Sequence, residues 1–140
     1  MLFINYYHRF RYSVSRNHNF YILNLSLPGL CFILYLVNNY LIKPFYGLPL
    51  TGNYFNDILA GIVLLSFSNI LLSFYSGKDI LIKKFYIMMV FLLAAGLFWE
   101  YVTPLYKPGA VSDVLDIPAY MTGGIIYYVI VNREYLLHKE

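Results

Sequence analysis

The stretch from Phe85 to Tyr106 reads FYIMMVFLLAAGLFWEYVTPLY, with Lys83 and Lys84 just before it and Lys107 just after. Glu100 is its only charged residue. About 20 mostly apolar residues carry a helix across roughly 30 Å of hydrocarbon, so this run has the length and polarity of a membrane span. It lacks the polar face that a soluble amphipathic helix would show.

Three further runs flank it. Tyr54 to Tyr75 holds one charge, Asp57, in its first turn. Phe20 to Ile42 is uncharged, with Pro28 as an expected kink and Asn38-Asn39 marking its far end. Ile117 to Asn132 is the shortest and reaches full length when residues from 114 onward are counted. Backbone polar groups must be satisfied internally in lipid, so all four read as helices. The fold class predicted is all-α, a polytopic integral membrane protein with a four-transmembrane-helix bundle (about 20–42, 54–75, 85–106 and 114–132) forming one domain over 1–140.

Composition agrees. Of 140 residues, 60% are hydrophobic and 20% aromatic, but only 12% are charged, against about 25% in a soluble domain. That excludes a disordered chain, and no concentrated basic face suggests a nucleic-acid partner. The lone cysteine, Cys31, offers neither a disulfide framework nor a thiolate metal cluster. The first apolar run lacks a small-residue cleavage pattern and is expected to stay in the membrane as a signal anchor.

The net charge of +3 is unevenly spread. Arg9, Arg11 and Arg16 precede the first run, Lys78, Lys83 and Lys84 separate the second from the third, and Arg133 and Lys139 end the chain. Lys43 and Lys107 alone lie on the other side. Cytoplasmic loops retain Lys and Arg, so both termini are predicted to be cytoplasmic in a multi-pass protein of a cell membrane. Segment 1–19 mixes Phe3, Tyr6, Tyr7, Phe10 and Tyr12 with its arginines, as an interfacial segment or an aromatic belt would. Gly47, Pro49 and Gly52 mark one outer turn, and Lys107-Pro108-Gly109 the other.

Under this topology Asp57, Glu100, Asp113 and Asp116 share the outer side. A carboxylate within a span is costly and usually faces the bundle interior. Gly96, Glu100 and Thr103 fall on one helical face. Asp113, Asp116, Tyr120, Gly123 and Tyr127 form a second stripe, with Ala119, Gly123 and Gly124 leaving room for a neighbouring backbone. Asp57, Gly61 and Ser68 form a third. The three stripes can converge on an acidic pocket of Asp57, Glu100, Asp113, Asp116 and Tyr120, with Gly96, Ala119, Gly123 and Gly124 packing its helices.

Such a pocket can hold Mg²⁺ or Ca²⁺ through Glu100, Asp113 and Asp116. It can keep one carboxyl protonated for acid-base work, or take a cationic or hydroxyl-rich headgroup. The plainer reading is that Asp116 caps its helix, Asp113 belongs to the preceding turn and Asp57 favours its helix dipole. Glu100 resists that reading, because the dipole disfavours an anion late in a helix. Asn69, mid-span, suits an interhelical hydrogen bond. The serines and Cys31 lack a histidine base on their side of the membrane, which argues against a nucleophilic triad.

The pattern Trp99-Glu100-Tyr101-Val102-Thr103-Pro104, Pro108-Gly109, Ser112-Asp113-Val114-Leu115-Asp116, Tyr120 and Gly123-Gly124 resembles the C-terminal motif of the VanZ-like membrane proteins. Glu100, Asp113, Asp116 and Gly123 match it with about one extra loop residue, over roughly the last third of the chain. Thr103, Ala110 and Tyr120 stand where that family has glutamine, arginine and asparagine. The resemblance implies a small bacterial cell-envelope protein, some of whose relatives confer glycopeptide resistance.

The sequence thus predicts a VanZ-like envelope protein whose acidic pocket binds a lipid-linked or amphiphilic ligand. The alternative is a non-enzymatic membrane subunit, an immunity or assembly factor or a homo-oligomer, acting through helix partners.

Overall fold

A computed structural model of the chain describes residues 18–46, 54–76, 82, 84–107 and 113–137; for 18–20, 46, 76 and 133–137 it describes the backbone alone. The aromatic-basic segment 1–17, the turn at Gly47, Pro49 and Gly52, Lys78, Lys83, Pro108 to Ser112 and Lys139 lie outside the described residues.

Among the described residues the chain is wholly helical. Helix α1 (His18–Val37) runs through Pro28, widens into a π-helical turn at Asn38–Ile42, and closes with an α-helical turn at Lys43–Tyr46. Helix α2 spans Phe55–Ser76. Helix α3 (Phe85–Leu97) passes through a second π-helical turn, Phe98–Val102, into a last turn at Thr103–Tyr106. Helix α4 is Asp116–Leu137 and continues past Asn132, where the apolar run ends. Three of these, over Tyr21–Phe45, Phe55–Tyr75 and Phe85–Tyr106, are long and apolar enough to cross a membrane. The apolar faces left on them fit that setting: Val90 on α3 is 64% exposed, and Leu105 at its end is 83% exposed. Lipid, not protein, is the natural neighbour of such side chains.

The helix ends follow from local chemistry. The Tyr54 carbonyl accepts the N–H groups of Asp57 and Ile58, each at 3.1 Å, and Asp57 sits in the first turn where the dipole favours an anion. Lys84 is extended just before α3, and Lys107 is extended just after its last turn. At the start of α4 the Asp113 side chain accepts from the Leu115 N–H at 2.9 Å, and the Asp113 carbonyl accepts from the Asp116 N–H at 3.0 Å. Asp113 therefore closes the turn that leads into α4, as expected, and Asp116 is the first residue of the helix. Pro118 follows in the first turn, where its missing N–H costs little.

Spatial order differs from chain order. Helix α1 packs on α2, α2 on α4, and α4 on α3, so the fourth helix lies between the second and third. Leu27 and Cys31 of α1, Leu59, Ile62 and Leu65 of α2, Met88 and Leu92 of α3, and Tyr127 and Val131 of α4 make the buried core. A hydrogen-bonded hub crosses this core. The Tyr127 hydroxyl donates to Asn24 Oδ1 at 2.6 Å and accepts from Asn69 Nδ2 at 2.7 Å. Asn69 Oδ1 in turn takes the Ile82 N–H at 2.7 Å. Three helices and the segment leading into α3 are tied through one tyrosine. Asn69 has the interhelical role its position suggested, and Tyr127 belongs to this hub.

Glycine sets the α2–α4 spacing. A methyl added at Gly123 would strike the Ile58 carbonyl oxygen and stand 3.2 Å from the Gly61 Cα. One added at Gly61 would strike the Tyr120 carbonyl oxygen. Gly124 faces softer neighbours, the side chains of Leu92, Met89 and Leu65. Gly96, against Ile117 and Tyr120 at 3.4 Å, has ordinary room. Ala119 is buried beside this crossing. Small residues at a membrane crossing let backbones approach closely.

Gly123→Ala should lower stability by about 1 to 3 kcal/mol, since a rigid backbone must move to admit the methyl. Gly29→Ala, where no atom lies within 4 Å of the added carbon, should be neutral or slightly stabilising. Thermal unfolding of both variants in the same detergent separates the two outcomes.

Candidate functional site

The polar side chains concentrate at the bundle end where α1 and α3 finish and α2 and α4 begin. Both π-helical turns lie here. A π turn holds one residue more than an α turn and recurs at functional sites in helical proteins. Here the first carries Asn38 and Asn39, and the second carries Glu100. Asn38 Nδ2 donates to Asn56 Oδ1 at 3.0 Å, Asn56 Nδ2 reaches Asn39 Oδ1 at 3.4 Å, and Asn39 Nδ2 donates to the Tyr35 carbonyl at 3.0 Å. This chain of amides joins the end of α1 to the start of α2.

Glu100 is 3% exposed, and its Oε2 accepts the Asp113 N–H at 2.7 Å. The charge that is anomalous late in a helix is thus used to hold the segment leading into α4. Gly96, Glu100 and Thr103 are all buried, so the predicted stripe on this helix does face protein.

Asp57, Asp116 and Tyr120 meet across the α2–α4 crossing. Tyr120 and Asp116 lie close enough to Asp57 to act on its carboxyl group. Tyr54, just before α2, lies near Asp113 and Asp116. Among the described residues no lysine or arginine is in ion-pair contact with these carboxyls; Lys43 acts on Asp57 only through longer-range attraction.

The structure therefore gathers Asp57, Asp116 and Tyr120 directly, with Glu100 near enough to act on them electrostatically, while Glu100 and Asp113 meet through the Asp113 backbone. Among the described residues no group of three or more His, Cys, Asp or Glu side chains is arranged to hold a metal ion. Of these acids, Glu100 accepts a backbone N–H and Asp113 closes the turn before α4. Asn56 and Tyr54 join the site without having been singled out in the sequence, and Asn38 was read there only as the end of its run. Their one signal is position: each polar group stands at the end of an apolar run on the same side as the acids.

Below the polar end opens a cavity of about 800 Å³. Asn56, Asp57 and Tyr120 form its polar end, and Pro28, Leu64 and Leu92 stand deeper within it. Its side walls include Phe32 and Tyr35 from α1 and Phe98 and Trp99 from α3. Helices α1 and α3 flank the α2–α4 pair without packing on each other to any extent, which leaves the space between them. A largely apolar concavity with a few convergent polar groups is the usual form of a small-molecule site.

Fold and site together define a helical membrane protein with an apolar cavity that ends on a carboxyl cluster. Comparison of the chain with family models, curated proteins and solved structures returned no match.

Glu100→Gln keeps the side-chain shape but replaces a charge-assisted hydrogen bond with a neutral one. The loss should be about 1.5 kcal/mol, read as roughly tenfold faster amide exchange near Asp113 with the core of α2 unchanged.

Proposed function

We propose that the chain is a four-span VanZ-like protein of a bacterial plasma membrane, with both termini cytoplasmic, whose outer-side pocket binds a lipid-linked or amphiphilic ligand. The observation that carries this reading is the cavity of about 800 Å³, polar at the end formed by Asn56, Asp57 and Tyr120 and apolar along the rest. An amphiphile has the same polarity, head at the water boundary and chain in hydrocarbon. A free polar solute would gain little from Leu64 or Leu92, and a pure hydrocarbon would leave Asp57 facing an apolar neighbour, which is costly.

The fourth span rests on the 22 residues of α4, enough for about 33 Å, and on its packing between α2 and α3. The orientation rests on the excess of Lys and Arg at the termini and in the loop between α2 and α3. It puts the starts of α2 and α4, and with them the carboxyls, on the outer side. The VanZ-like assignment and any tie to glycopeptide resistance rest on the resemblance around Glu100, Asp113, Asp116 and Gly123.

Two experiments test this. A fluorescent-protein fusion after Glu140 should fluoresce, and an alkaline phosphatase fusion there should be inactive; the reverse result overturns the orientation. Protein purified in mild detergent should carry a co-purifying amphiphile detectable by native mass spectrometry. Ala60→Phe, which fills the cavity from α2, should reduce that species several-fold at unchanged helical content. Equal retention in the variant overturns the pocket reading.

A further inference from the structure

The polar end of the cavity has a definite sign. Asp57, Asn56 and Tyr120 line it directly, and Asp116 lies close to Asp57. Glu100, 3% exposed, adds its charge to the same neighbourhood. Among the described residues no lysine, arginine or histidine lines the cavity. These carboxyl groups give the polar end an acidic character. An anionic head would meet repulsion here that Lys43, acting on Asp57 from further away, only partly offsets. A neutral head would gain no charge pairing.

The apolar part has a definite length. Its lining on α2 runs from Asn56 to Leu64, about 12 Å at 1.5 Å per residue. That suits a single medium-length alkyl chain lying along the helix. The flanking walls, Phe32 and Tyr35 on one side and Phe98 and Trp99 on the other, belong to helices that do not pack together. A ligand can therefore come in sideways from the bilayer.

We propose that the occupant is a monocationic amphiphile, an alkylammonium whose head pairs with Asp57 while its chain fills the cavity between α1 and α3. The inference rests on the amphiphile-binding reading above and adds the sign of the head. Charge complementarity supplies selectivity, because an anionic competitor pays repulsion and desolvation at the same point.

Trp99 makes the test direct, since it lines the cavity and is the chain's single tryptophan. In phosphatidylcholine vesicles, chain-brominated dodecyl amphiphiles with trimethylammonium, maltoside or sulfate heads are titrated as quenchers of its fluorescence. Saturable quenching should appear at a mole fraction about tenfold lower for the ammonium than for the maltoside, with the sulfate weakest. Asp57→Asn should abolish the difference between the ammonium and the maltoside, and Asp57→Glu should retain most of it. Helical content by circular dichroism reports whether each variant is folded. Equal saturation by all three heads, abolished by Ala60→Phe, overturns the cationic head and leaves the pocket reading standing. Quenching that never saturates for any head overturns both. Protection of Trp99 that grows with protein-to-lipid ratio and no added amphiphile gives the groove to a second copy of the chain and overturns the proposal.

Discussion

The close approach of α2 and α4 at Gly61 and Gly123 governs the geometry of everything around it. With no Cβ at either position, the Ile58 and Tyr120 carbonyls come up against the opposing glycines. Asp57 is one turn from Gly61, and Tyr120 and Asp116 lie one and two turns from Gly123. Bringing the backbones together therefore brings these polar groups together as well. Asp57, Asp116 and Tyr120 are close neighbours because of that approach.

A second constraint is that polar groups within hydrocarbon must find partners inside the protein. Two devices meet it at different depths. In the core, Tyr127 joins Asn24 and Asn69 into a hub across three helices. At the acidic end, the π turns bring Asn38, Asn39 and Glu100 to amide or backbone partners. The same arrangement produces the cavity. With α1 and α3 as the outer members of the row α1–α2–α4–α3, the space between them is closed by none of the described helices, and the carboxyl cluster sits at its polar end.

Much of this was legible in the residues. Runs such as Phe85 to Tyr106 announce themselves by length and by the scarcity of charge, and Glu100 stands out because an anion late in such a run is expensive. Gly123 and Gly124 read as packing residues from their spacing alone. Tyr54 and Asn56 did not stand out, since a polar residue at the edge of an apolar run looks like a boundary. That Asp116 begins its helix was legible too, but not that the turn before it is closed by Asp113 on both its side chain and its carbonyl.

The sequence by itself determined that the chain forms long apolar helices and that acids gather at one end of them, since both follow from composition and from periodicity along a single helix. Tertiary structure alone decided that α4 lies between α2 and α3, that Glu100 serves the Asp113 backbone, and that Asp57 meets Asp116 with a cavity beneath them. Those outcomes depend on which helix faces which. That is decided by the contacts of opposing glycines and buried amides, and these are relations between distant segments that no local pattern contains.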